Sequence, residues 1–336
     1  MIILGIESSC DETSAAVVEM DSPVGNHRIL SNKIASQIAI HRQWGGVVPE
    51  LASRAHVETV TPLTYEALAA ASLTMRDIDA VAVTNRPGLI GALLVGLSFA
   101  KALAWANEKP LIGVNHIMGH VAAAYLTSCA PAPPYLALTV SGGHTAIYDV
   151  RSYTEFVRLG STRDDAAGEA IDKIGRAMGL PYPGGAEMDV LARSGNREAF
   201  KLPSAAIAGD TLDFSFSGLK TYAVNLLHTA KQRGEELCRE DLAASLCDTV
   251  ARSLTQRVAE AVKLTGRRVV VVAGGVAANS QLRGALASYA DSAGVALYIP
   301  PIALCGDNAA MIAAQGYYDF LKWGASDISL NAFPSA

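Results

Sequence analysis

Short apolar runs alternate along the chain with longer stretches in which apolar residues return every three or four positions. The first pattern belongs to buried strands and the second to helices, so their alternation predicts an α/β architecture. Residues 2–6 and 14–18 read as strands joined by a polar turn over 7–13. Helical spacing runs through 50–71, entered at Pro49, with Pro62 as a kink or break. Residues 79–84 form a buried strand, and Arg86-Pro87-Gly88 turns it into a helix over 91–106. Residues 110–114 are a further strand, feeding a helix that begins near His116. After a proline-rich pause at 129–134 comes a strand over 135–140. Towards the end, a strand over 268–273 turns through Gly274 and Gly275 into a helix over 280–290, and 309–323 is the last long helix.

The pattern echoes itself. Leu4-Gly5-Ile6-Glu7-Ser8-Ser9 and the run from Ser14 resemble Leu138-Thr139-Val140-Ser141-Gly142-Gly143 and the run from Thr145. Both are strand, small polar turn, strand, which suggests two similarly built lobes. We take 1–115 plus 300–336 as the first lobe and 116–299 as the second. The stretch from His116 to the prolines serves as the passage between them.

Composition narrows the function. Half of the 336 residues are hydrophobic and 18% are charged, enough apolar material for two cores. The apolar start is cut short by Glu7, Asp11 and Glu12, unlike a secretory signal. The run 91–106 contains Lys101 and is too short to span a bilayer, so no membrane partner is expected. Five cysteines without a Cys-x-x-Cys pair point to free thiols in a cytoplasmic protein. A net charge of −5 and 6% aromatics argue against a general nucleic-acid coat.

The candidate chemistry begins with Asn-His-Ile-Met-Gly-His at 115–120. Residues four apart share one helix face, so His116 and His120 can aim at a single metal ion. A His-Glu-x-x-His protease would need a glutamate between them, and Ile-Met-Gly stands there instead. Asp307, in a turn entering the last helix, is the candidate third ligand. Two histidines that merely line a helix are the plain alternative. No Gly-x-x-x-x-Gly-Lys-Ser/Thr or Gly-x-Gly-x-x-Gly motif occurs. The chain offers instead Ser141-Gly142-Gly143, Gly184-Gly185 and Gly274-Gly275, whose backbone amides can approach an anion, with Asn279 nearby. Asp164 and Asp165 are expected to complement the dipole of a helix begun there, and Asp172 and Asp189 to accept hydrogen bonds. Asp11 and Glu12 are candidates to face the metal or act as base.

Taken together, these motifs resemble the TsaD family of tRNA threonylcarbamoyladenosine synthases. The match runs from Gly5-Ile-Glu-Ser-Ser-Cys-Asp-Glu-Thr13 through Gly45-Gly-Val-Val-Pro-Glu50, His116 to His120 and Val140-Ser-Gly-Gly-His-Thr145. It continues through Asp164-Asp-Ala-Ala-Gly-Glu169, Tyr182-Pro-Gly-Gly185, Phe214-Ser-Phe-Ser-Gly-Leu-Lys-Thr221, Ala273-Gly-Gly-Val276 and Asp307-Asn308. The resemblance implies a two-lobed actin/Hsp70/sugar-kinase-like fold with a central cleft. It implies transfer of a threonylcarbamoyl group from threonylcarbamoyl-AMP to the exocyclic amine of the adenosine just 3′ of the anticodon, with release of AMP. It further implies iron or zinc on His116, His120 and Asp307. Substrate contacts fall at Thr139, Val140, Ser141, Gly142, Gly143, Asp172, Gly185, Asp189 and Asn279. A TsaB-like inactive paralogue and a TsaE-like small ATPase are the implied partners beside tRNA. The chain departs from many members in carrying Arg86 in place of glycine and Gly306 in place of threonine or serine. The alternatives are a small-molecule kinase or ATPase of the same superfold, which leaves the histidine pair idle, and a non-catalytic partner-binding lobe, which predicts no metal.

Overall fold

The computed structural model describes residues 1–21 and 27–335. In chain order its elements are β1 (Ile2–Glu7), β2 (Glu12–Glu19), β3 (Arg28–Ser36), α1 (Ile38–Arg42), α2 (Pro49–Ala70), β4 (Ala80–Arg86), α3 (Ile90–Ala106), β5 (Leu111–Asn115) and α4 (His116–Ala122). Then come β6 (Tyr135–Val140), β7 (Thr145–Ser152), β8 (Glu155–Ser161), α5 (Ala167–Ala177), α6 (Gly184–Ala192), α7 (Ser217–Arg233) and α8 (Arg239–Thr265). The series closes with β9 (Val269–Ala273), α9 (Ser280–Ala293), β10 (Ala296–Tyr298) and α10 (Ala309–Trp323). No helix among the described residues is long and apolar enough to cross a membrane.

Two compact units result. The first is Met1–Pro133, Ser152–Glu155 and Gly306–Ala336; the second is Pro134–Arg151 and Phe156–Cys305. The divisions therefore fall at 133/134 and 305/306, not at 115/116 and 299/300. Packing explains both shifts. Gly119 of α4 lies so close to α10 that a Cβ there would come within 2.7 Å of Ile312 Cδ1, which keeps α4 in the first unit. Arg283 of α9 donates to the Pro300 carbonyl at 2.9 Å and lies 3.3 Å from Cys305 Sγ, which keeps 300–305 in the second.

The first unit's sheet runs β3-β2-β1-β4-β5. β1 pairs antiparallel with β2 and parallel with β4, which pairs parallel with β5. Side chains alternate across a strand, so Leu4 and Ile6 point to one face and Gly5 to the other. On the Leu4 and Ile6 side, Val60 and Leu68 of α2 and Leu93 and Leu97 of α3 complete one core cluster. On the Gly5 side lies α10: a Cβ at Gly5 would sit 2.2 Å from the Ala309 carbonyl oxygen, and one at Gly316 would sit 2.7 Å from Ala82 Cβ. Only glycine permits so close a helix–sheet approach at these two positions. Pro62 lies inside α2 without ending it, on an exposed position where the missing N–H is cheaply tolerated.

The second unit's sheet runs β8-β7-β6-β9-β10, the same sequence of strands shifted by five. Its pairings repeat the first: β6 antiparallel to β7, parallel to β9, and β9 parallel to β10. The echo between the two strand-turn-strand motifs thus extends over each whole sheet. Leu136, Leu138 and Val140 of β6 join Val270 and Val272 of β9 in a cluster closed by α5, α8 and α9 through Ile174, Leu246, Leu254 and Leu286.

Candidate metal centre and glycine turns

The histidine pair is set by the junction of β5 and α4. The Asn115 side chain caps α4 by accepting from the amides of Ile117 and Met118, which satisfies helix N–H groups that lack an intrahelical partner. His116 and His120 then lie one turn apart, edge to face with ring centroids 4.6 Å apart, and both are buried. Asn308 caps α10 through the Met311 amide and so fixes Asp307 at the mouth of that helix. Asp307 Oδ1 stands 3.6 Å from His116 Nε2 and 3.2 Å from His120 Nε2. One ligand atom from each of the three lies within 4.8 Å of the others.

These distances suit a shared ion. Ligand atoms about 2.0–2.2 Å from one tetrahedral metal stand about 3.3–3.6 Å from each other. His120 supplies the sharper test: both of its ring nitrogens are buried, neither makes a hydrogen bond of good geometry, and the polar neighbour of Nε2 is Asp307 Oδ1 itself. Buried polar atoms without partners are costly, and a metal at Nε2 would remove that cost for one of them. Two imidazoles and a carboxylate are a donor set suited to Fe2+ or Zn2+. A Cβ at Gly306, beside the site, would meet nothing within 4 Å.

Glu7, the last residue of β1, is the residue that sequence reasoning missed. It is fully buried, with Oε2 3.0 Å from His116 Nδ1. Without an ion, burial disfavours an imidazolium at His116, but the charges of Glu7 and Asp307 outweigh it and hold its pKa up to about 9, a proton that a metal on Nε2 would displace. The only visible signal was a carboxylate closing an otherwise apolar strand. Asp11 and Glu12 do lie in the same unit. Burial, then the charges of Asp307 and Asp11, push Glu12 up to about 9. His56 pins this turn: its Nδ1 is 2.7 Å from Thr13 Oγ1 and its Nε2 2.9 Å from the Cys10 carbonyl.

The other predicted contacts all belong to the second unit. Thr139 and Val140 are buried in β6, and the Ser141 amide donates to the His144 carbonyl at 2.8 Å, closing the turn. Gly142 and Gly143 are exposed, and a Cβ on either would meet nothing within 4 Å. Gly274, at φ +97°, approaches so near that a Cβ would lie 2.4 Å from the Val140 carbonyl oxygen. The β6–β7 and β9 turns are thereby brought together. Asp172 Oδ1 accepts from the Gly185 amide at 3.0 Å, joining α5 to the start of α6. Asp189 Oδ1 accepts from the Ser280 amide and hydroxyl at 2.8 and 2.7 Å, while Asn279 caps α9 through the Leu282 amide.

Asp164 and Asp165 do not sit in the first turn of the helix that follows them. Asp164 accepts from the amides of Phe216 and Ser217 at 2.8 and 3.2 Å and so caps α7. Asp165 takes Lys173, Lys220 and the Ser217 hydroxyl. The reason is that α5 begins only at Ala167, which leaves both carboxylates in the preceding loop.

Two related units, each a five-stranded sheet of one topology, define the actin/Hsp70/sugar-kinase fold class. A full-length HypF structure in a phosphate- and nucleotide-bound form superposes with TM-score 0.64 at 14% identity, over 97% of this chain and 47% of that one. Component A of (R)-2-hydroxyglutaryl-CoA dehydratase from Acidaminococcus fermentans gives 0.54 at 15% identity, over 95% and 98%. At such identities the likeness concerns the fold alone. Within that class, the chain belongs to the TsaD family, tRNA N6-adenosine threonylcarbamoyltransferase, whose sequence profile matches residues 28–314. Proteins of that name are 52% identical in Moorella thermoacetica (99% of this chain, 96% of the relative), and 49% identical in Clostridium perfringens (99% and 97%).

Proposed function

We propose that the chain transfers a threonylcarbamoyl group from threonylcarbamoyl-AMP to the exocyclic amine of the adenosine just 3′ of the anticodon, releasing AMP. Family membership supports the acceptor and the transferred group. The observation that carries the site is the His116, His120 and Asp307 cluster, with the buried nitrogens of His120 left without a hydrogen bond. The kinase and ATPase alternative is not supported: the relatives near 50% identity carry the transferase name.

In this reading His116, His120 and Asp307 hold one divalent ion, Fe2+ before Zn2+. Bound there, the ion supplies a Lewis acid that offsets negative charge on a carbonyl or phosphate oxygen. The exposed Gly142 and Gly143 turn offers backbone N–H groups to the adenylate. Asp172 with Gly185, and Asp189 with Asn279, shape the remaining substrate surface. With a net charge of −5, part of the tRNA grip falls to partners, a TsaB-like paralogue and a TsaE-like ATPase. Five unpaired cysteines suit a cytoplasmic setting.

One reconstitution tests the reading. tRNA, threonine, bicarbonate, ATP and the partner proteins are incubated with and without this chain, and the digested nucleosides are analysed by mass spectrometry. Threonylcarbamoyladenosine should form only with the chain present. Formation in its absence refutes the role.

A further inference from the structure

The surroundings of Glu7 go beyond a three-residue metal cluster. Its carboxylate, fully buried, uses both oxygens on fixed donors. Oε1 accepts from the Ser9 amide at 2.5 Å, and Oε2 accepts from the Thr84 hydroxyl at 2.5 Å. Oε2 is also 3.0 Å from His116 Nδ1. Ser9 Oγ, 3.2 Å from the same nitrogen, is a neutral second acceptor for one proton. A neutral imidazole carries a single N–H, and the partner of one nitrogen decides which atom of the ring donates its lone pair. The far nitrogen, Nε2, is the one that stands 3.6 Å from Asp307 Oδ1.

We propose that Glu7 is the positioning residue of the metal centre: its carboxylate holds the proton on His116 Nδ1 and so presents Nε2, unprotonated, to the ion. The inference rests on the metal reading given above. Ligating histidines commonly need such an outer carboxylate, which fixes the ring and raises its basicity. Thr84 and the Ser9 amide hold Glu7 in turn, so β1, β4 and the first turn jointly orient one ring. Glutamine at position 7 would invert the arrangement. The Ser9 amide needs an acceptor, so the glutamine oxygen goes there and its NH2 faces His116 Nδ1. That NH2 can only donate, which forces Nδ1 to accept and sends the ring proton to Nε2.

The test is chelator competition with Zn2+ on the full chain, wild type against Glu7→Gln. The dissociation constant should rise about 10–100-fold in the variant. A value within twofold of wild type in a folded Glu7→Gln chain overturns the proposal. Should the variant fail to fold, 15N NMR of the histidine rings in the Zn2+-loaded wild type decides the matter without it. The expected state of His116 is a protonated Nδ1 with zinc on Nε2; zinc on Nδ1 overturns the proposal. Failure of the wild-type chain to bind Zn2+ overturns the metal reading itself, and this inference with it.

Discussion

The first turns of the two units occupy equivalent places in equivalent sheets, yet they do opposite things with polarity. The β1–β2 turn folds inward: Glu7, Ser8, Ser9 and Asp11 are all buried, and the side-chain oxygens of the first three are spent on His116, Thr84 and backbone. The β6–β7 turn stays open, with Gly142 and Gly143 exposed and their backbone unobstructed. The carboxyl groups follow the same division. In the first unit, burial pushes Glu12 up to about 9 and Asp319 up to about 7. In the second, Asp165 is partly desolvated, but hydrogen bonds from Lys173, Lys220 and Ser217 hold it down at about 2. One topology therefore carries buried carboxyls in one copy, with Glu12 and Asp319 pushed up and Glu7 held below its usual value by His116 in spite of burial, and an ionised, surface-paired Asp165 in the other.

The largest break in this comparison should come from the buried centre. A His116→Ala, His120→Ala double variant is expected to lose its metal, falling from about one ion per chain to near none by elemental analysis. Its transferase activity should fall with it. Unchanged metal content would return the pair to the status of helix-lining residues. Gly142 and Gly143 of the second unit's open turn carry no side chain whose removal could do this.

Asp319 comes next. Burial raises its pKa to about 7, against a hydrogen bond from Gln315 at 2.9 Å that favours the ionised form. The native state thus binds this proton more tightly than the unfolded chain does. Stability is full below about pH 4 and falls as pH rises towards 7, by up to roughly 4 kcal/mol. Asp319→Asn should flatten that fall, and denaturant titrations at pH 5 and pH 8 measure it. An equal loss in wild type and variant would mean that Asp319 is ionised at little cost.

These contrasts were unevenly legible in the chain itself. The sheet strands, the two related turns and the histidine pair follow from local periodicity and from a four-residue spacing, which a sequence displays directly. Glu7 was invisible because its partners are remote: Thr84 lies 77 positions away and His116 109. Asp164 and Asp165 were misassigned for a related reason. They sit before α5 in sequence, yet both reach the start of α7, some fifty residues on, and only Asp165 also pairs with α5, through Lys173. The unit boundary slid from 115 to 133 because α4 packs against α10, a contact no local pattern announces. What spacing encodes was readable, and what folding brings together was not.

Within the second unit, two glycines separate scaffold from binding surface. Gly274 has φ +97°, and a Cβ there would strike the Val140 carbonyl at 2.4 Å. Gly274→Ala should destabilise the chain by about 2–4 kcal/mol through backbone strain and overpacking. Gly142→Ala should change stability by less than about 0.5 kcal/mol, because the added methyl meets nothing. Its expected effect is instead on substrate affinity, read as a higher KM. Thermal unfolding of both variants checks the pair, and equal destabilisation would erase the distinction between the two turns.

Among the charged groups the smaller expected effect belongs to Asp165, and it has the opposite sign of pH dependence to Asp319. Folding lowers its pKa to about 2, so the unfolded chain holds this proton more tightly than the native state. Its contribution is complete above about pH 4 and disappears as pH falls through 2. The lysines it binds are partly exposed, with 37% of the Lys173 side chain and 26% of Lys220 open to solvent. Screening therefore limits the benefit to about 1 kcal/mol, less at high salt. Asp165→Asn should lower stability by that amount at pH 7 and by much less at pH 2, with the difference shrinking in 1 M salt. A salt-independent loss would locate the role of Asp165 in its Ser217 hydrogen bond, which holds the start of α7, and not in its charge.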